Sequence, residues 1–150
     1  MKDKLTLIKD SISKETVLLS RQIVSHTDEF LSSFNKNELL SFSNTQSKTK
    51  EYEEKYFLFV SGISSLISAL SSLNADLASL LIEADRCMEI ELIVICEKRF
   101  NAFEAFEHAL YDYTSSVENE IINSKITAQF LISATQKFKF AINELIKVNL

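Results

Sequence analysis

The sequence predicts an all-α protein, an antiparallel four-helix bundle, on three observations. The 150 residues contain no proline and a single glycine, Gly62, where average usage would supply roughly ten glycines and seven or eight prolines. Apolar side chains recur at helical spacing along most of the chain. Apolar residues make up 46% of the total, enough at this length for one domain, 1–150, to bury a core without a disulfide framework. The shortage of turn-forming residues argues against β-sandwiches and barrels, which need many positions tolerant of positive φ. It also removes the dinucleotide-binding fingerprint and the P-loop, which need several glycines where backbone approaches phosphate.

The first helix is expected over about 3–34. At about 100° per residue, Leu5, Ile8, Ile12, Leu19, Ile23, Phe30 and Phe34 fall within about 40° of a common direction. Asn35-Lys36-Asn37 and the run Ser41 to Ser47 then mark a loop, because their side chains compete for backbone hydrogen bonds. From Tyr52 the apolar stripe continues through Tyr56, Phe59, Ile63, Leu70, Leu77, Leu81, Met88, Leu92, Ile95, Phe103, Phe106, Leu110, Tyr113 and Val117. A single helix of that length would reach about 100 Å and would need a partner to cover it. A reversal at Glu83-Ala84-Asp85-Arg86, the densest polar interruption, gives helices of about 47–82 and 86–117 instead. Ser115-Ser116 and Glu118-Asn119-Glu120 mark the last turn. Ile122, Ile126, Phe130, Phe138, Ile142 and Leu145 then define a fourth helix over about 120–149. Matching lengths suit antiparallel neighbours in a bundle. The alternative is three helices with one long central helix, about 48–117, in a coiled-coil oligomer.

Two segments are more apolar than one stripe requires. Tyr56 to Ala75 carries no charge, but it includes six serines at 61, 64, 65, 68, 71 and 72. Those serines form a small-residue face that suits close helix approach in a bundle interior. The basic anchors and paired aromatic belts of a membrane span are missing, so a buried bundle helix is expected. The second segment, Cys87 to Cys96, is apolar on both sides, as in a central core element or a contact surface. Its β-branched residues would also permit a strand. Cys87 and Cys96 lie about 180° apart on one helix, cannot pair there, and are expected to be free thiols.

The formal charge is −5, and it is unevenly distributed. Residues 76–120 hold eleven acidic side chains against three basic ones, Arg86, Lys98 and Arg99. Such a segment repels phosphate backbones and disfavours direct nucleic-acid binding, while it suits a basic protein partner. The N-terminal run MKDKLTLIKDSISKE is broken by charge every few residues. It lacks the apolar stretch of a signal peptide, on which a cytoplasmic location is expected.

Catalytic and metal-binding patterns are missing. The carboxylate-bridged di-iron bundle needs Glu-x-x-His on two helices, yet Ile23 and Ala105 stand three residues before His26 and His108. Glu97, Asn101, Glu104 and His108 align at helical spacing, but on the face expected to meet water. His26 is placed at the edge of the first helix's stripe. Zinc-protease, CxxC and nucleophile-elbow motifs do not occur, and both cysteines are placed in a helix interior. No cofactor, metal or catalytic residue is therefore expected.

What remains is a non-enzymatic helical module that binds a protein partner, of the chaperone, adaptor, inhibitor or immunity type. Glu89, Ile90, Glu91, Val94, Glu97, Arg99 and Phe100 are its candidate contact residues. Arg99 is the one charged residue on its helix's apolar stripe, expected to snorkel or to pair with a glutamate from another helix. Phe100 lies about 80° off that stripe. The same faces would admit a homodimer. Alternatives are a membrane-active protein inserting residues 56–82 and a self-assembling coiled coil.

Overall fold

In the computed structural model, which describes residues 2–34 and 45–150, the chain forms α1 (Lys2–Ser32), α2 (Thr45–Arg86), α3 (Ile90–Ile122) and α4 (Ala128–Asn149). Among the described residues there is no strand, so the Cys87 to Cys96 segment is a turn followed by helix. The helices close a ring in which α1 packs on α2 and α4, and α3 packs on α2 and α4. Stacking of Phe30 on Phe59, with ring centroids 4.6 Å apart, and the joint burial of Leu5 and Ile12 with Leu77 and Leu80 show that α1 and α2 run antiparallel. Tyr113 stacks on Phe138 at 5.1 Å and packs edge-on against Tyr56, which carries the same alternation through α3 and α4. The bundle replaces the long central helix.

The helix ends differ from their expected places in ways that follow from local chemistry. The loop expected from Asn35 falls mostly outside the described residues. The reversal expected at 83–86 occurs at Cys87-Met88-Glu89, and α2 runs through Arg86. There Met88 N–H donates to Asp85 O (3.1 Å) and Glu89 N–H to Ala84 O (2.9 Å), closing a Schellman motif around Met88 at φ 59°. The turn expected at 115–120 is not formed. Tyr113 and Val117 stay buried one helical turn apart, and Ser115, Ser116 and Glu118 occupy the solvent side of an uninterrupted helix. Thr114 and Ser116 donate to Leu110 O and Tyr113 O, so their hydroxyls are satisfied without breaking the helix. The helix ends instead in a second Schellman motif. Ser124 N–H donates to Ile121 O, Lys125 N–H to Glu120 O, and Ser124 sits at φ 54°. Thr127 then caps α4 by accepting from Phe130 N–H (3.1 Å). Ile122 consequently points to solvent, and Ile126 is buried from the loop rather than from a helix.

The core divides in two. The larger cluster draws on all four helices, around Ile23, Phe59, Phe106, Phe138 and Ile142. The smaller contains Leu5, Ile12, Leu77, Leu80, Ala84, Leu92 and Cys96, all from α1, α2 and α3. Both cysteines are free, Cys96 fully buried and Cys87 half-buried. Tyr56 is fully buried, and its hydroxyl has no hydrogen-bond partner among the described residues. Tyr113, by contrast, shares a 2.9 Å hydrogen bond with Thr135 Oγ1. The serine face of α2 does not line the interior. All six serines are exposed, because α2 is gripped by α1 and α3 along one stripe and leaves its opposite side to water. Gly62 shares that exposed side, with the His26 ring 3.6 Å from where a Cβ would stand. His26 is itself exposed, and the fully buried position next to it is taken by Thr27, whose hydroxyl donates to Ile23 O.

Gly62→Ala meets ordinary van der Waals space and should stabilise by about 0.5–1 kcal/mol, while Met88→Gly, at a side chain 80% exposed, should relieve left-handed strain and add about 1 kcal/mol. Urea denaturation should show both midpoints rising at unchanged slope. Burial pushes the phenol pKa values of Tyr56 and Tyr113 well above the usual tyrosine range; the Glu118 carboxylate adds to the rise at Tyr56, and the Thr135 hydrogen bond opposes it at Tyr113. The unfolded chain therefore releases these protons first, and stability should be level below about pH 10 and fall above it. Tyr56→Phe removes an unpaired buried hydroxyl. It should raise stability at neutral pH by about 1 kcal/mol and flatten the alkaline loss, as read by denaturation from pH 7 to 11.

Candidate functional site

The α2–α3 turn and the first two turns of α3 gather exposed apolar side chains at one end of the bundle. Successive α3 positions at i, i+4 and i+7 share a face, and Ile90, Val94 and Glu97 form its beginning. Asn101, Glu104 and His108 continue that face, all exposed, with Glu104 and His108 paired at 3.8 Å. Ile90 is 72% and Val94 47% exposed, although both are β-branched residues that lower helix propensity unless packing recompenses them. Ile82 and Met88 on either side of Arg86 are exposed as well. These residues occur within a stretch that carries Glu83, Asp85, Glu89, Glu91 and Glu97. Of the basic side chains there, Arg86 faces Glu83 at 3.6 Å and Lys98 is exposed. Exposed apolar and acidic side chains thus alternate along this stretch.

Beside it, α1 and α2 enclose a groove of about 410 Å³. Its floor includes Leu5, Ile12, Leu73 and Leu80, and its rim carries Asp76 and Glu83. A larger groove of about 850 Å³ lies between α3 and α4, over Tyr113, Phe130 and Phe138. Among the described residues, no group of three or more His, Cys, Asp or Glu side chains comes together to hold a metal ion.

The seven candidate contact residues separate into two sets. Glu91, Ile90, Val94 and Glu97 are exposed and Glu89 is half-buried at the helix start, whereas Arg99 is 8% exposed and Phe100 is half-buried against the smaller core cluster. Arg99 therefore lies behind the exposed patch and not on it. It does not snorkel to solvent, and among the described residues it pairs with no glutamate. Its Nε–H donates to Val148 O in the last turn of α4 (3.4 Å), where the carbonyl ends of a helix favour a cation. Burial lowers the guanidinium's pKa, with Cys96 and Asp10 acting in the opposite direction, and the group stays protonated. Burial also raises the Cys96 thiol's pKa, with Arg99 and Lys9 opposing it. A buried neutral thiol of this kind is a poor nucleophile.

Comparison with protein families, with characterised proteins and with solved structures finds no match.

Truncating Arg99 separates its packing from its charge. Arg99→Ala leaves a hole between the two core clusters and a helix-end carbonyl without its donor, and should cost about 2–4 kcal/mol. Arg99→Met refills the volume and removes a buried charge that makes no salt bridge among the described residues, so it should stay within about 1 kcal/mol of the parent. Denaturant midpoints of the two variants check the order.

Proposed function

We propose that this protein is a non-enzymatic helical binding module whose α2–α3 end docks a partner protein. The partner presents apolar side chains flanked by lysine or arginine. The reading is carried by one observation: Ile90 and Val94 are exposed on the first turns of α3, in a stretch of chain that carries Glu83, Asp85, Glu89, Glu91 and Glu97. Contiguous exposed apolar surface is a common mark of an interaction site, and the acidic rim would speed encounter with a basic surface and reject acidic ones. The same charge disfavours a second copy of the chain, since two such ends would bring like charges together. Roles compatible with this chemistry are those of a chaperone, adaptor, inhibitor or immunity-type protein. Each works by covering a surface on another protein.

A second reading draws on α2. The stretch Thr49–Arg86 is long and apolar enough to cross a membrane, and 22% of its most apolar window is buried in the bundle. Insertion of residues 56–82 would have to part α2 from α1 and α3, exposing Ile23, Phe30, Phe103 and Phe106.

Affinity capture from a lysate of the source cell tests the docking reading, and flotation with vesicles tests insertion. The docking reading expects one discrete protein retained by the wild type and lost at least about tenfold in the variants Glu89→Lys/Glu91→Lys/Glu97→Lys and Ile90→Asp/Val94→Asp, with helical content unchanged. Equal capture by wild type and both variants would sink it. Co-flotation of the wild type with vesicles would favour insertion.

A further inference from the structure

Four polar side chains, one from each helix, meet between the two hydrophobic clusters. They are Thr16 on α1, Asn74 on α2, Arg99 on α3 and Asn149 on α4, and they line a single cavity of about 10 Å³ together with Ile12, Leu77, Phe103 and Leu145 among others. Two of these polar groups are already engaged. Thr16 Oγ1 donates to Ile12 O (2.7 Å), and Asn149 Nδ2 donates to Leu145 O (2.9 Å). The other two each carry a buried atom without a hydrogen-bond partner among the described residues, Nη1 of Arg99 and Oδ1 of Asn74. One is a donor and the other an acceptor, and both residues face the same space. Leaving either unpaired in an apolar surround is unfavourable.

The geometry points to a binding site for one internal water molecule, which accepts from Arg99 Nη1–H and donates to Asn74 Oδ1. Size and chemistry select this ligand together. A cavity of about 10–15 Å³ is the smallest that holds a water, so larger polar molecules are excluded. An anion would satisfy the guanidinium but would meet the Asn74 oxygen lone pairs head-on. A cation would be repelled by Arg99. Water is both acceptor and donor, and it keeps a second lone pair and a second proton for the Thr16 and Asn149 side chains at the cavity wall. The water thus becomes the fifth member of a polar layer in which the helices contribute one side chain each.

A crystal structure of the full chain, at a resolution that shows ordered solvent, tests the assignment. The expected result is a density peak within about 2.7–3.2 Å of both Arg99 Nη1 and Asn74 Oδ1, lost in crystals of Asn74→Leu, where the acceptor is replaced by a methyl-bearing side chain. Crystals grown with bromide in place of chloride should show no anomalous peak at the site. A direct Arg99–Asn74 hydrogen bond, a cavity free of density, a bromide peak beside Arg99, or a water that persists in Asn74→Leu would each overturn it. If Asn74→Leu does not fold, the wild-type and bromide maps decide.

Discussion

A guanidinium taken out of water must find dipoles to replace its hydration shell, and Arg99 finds them where the last turn of α4 meets the other three helices. Its position three residues after Cys96 and four before Phe103 puts it at the boundary between the two core clusters. A slip of α3 by one turn in either direction would carry the charge into a wholly apolar layer. The bundle register is tied to this one residue. Its bond to Val148 O also gives α4 a donor at an end where helix carbonyls have none of their own.

Glycine usage is inverted with respect to backbone need. Among the described residues, the two positions that adopt left-handed φ are Met88 and Ser124, both closing Schellman motifs, while Gly62 sits inside a helix where any residue would serve. A reversal closed by methionine carries no compositional signal. The bundle class was legible because helical periodicity survives such irregularities, and the α2–α3 reversal was legible to within a few residues because polar side chains cluster just before it. The last turn was misplaced for the opposite reason. Ser115, Ser116 and Glu118 look like a break in one dimension, yet they are the wet face of a helix whose dry face, Tyr113 and Val117, keeps its spacing.

The candidate site was legible in the same partial way. Exposure of Ile90 and Val94 could be inferred from their position opposite Leu92 and Ile95. The inward direction of Arg99 followed from the stripe, but its partner did not. A backbone carbonyl forty-nine residues away leaves no trace in side-chain identity. The serines of α2 mislead because small residues suit two environments, a tight helix contact or open solvent, and composition does not distinguish them. The number of neighbours decides, and α2 has two.

Because the smaller cluster draws on three helices and the larger on four, the molecule is graded along its length. Fewer elements bury each side chain at the α2–α3 end, so local opening there costs less free energy than opening the aromatic centre. The first turns of α1 and the start of α3 form the weaker cooperative unit, separated from the stronger one by the Arg99 layer. A ligand that covers Ile90 and Val94 would act on that weaker unit, so part of its binding energy would appear as ordering of the end it touches rather than as contact alone.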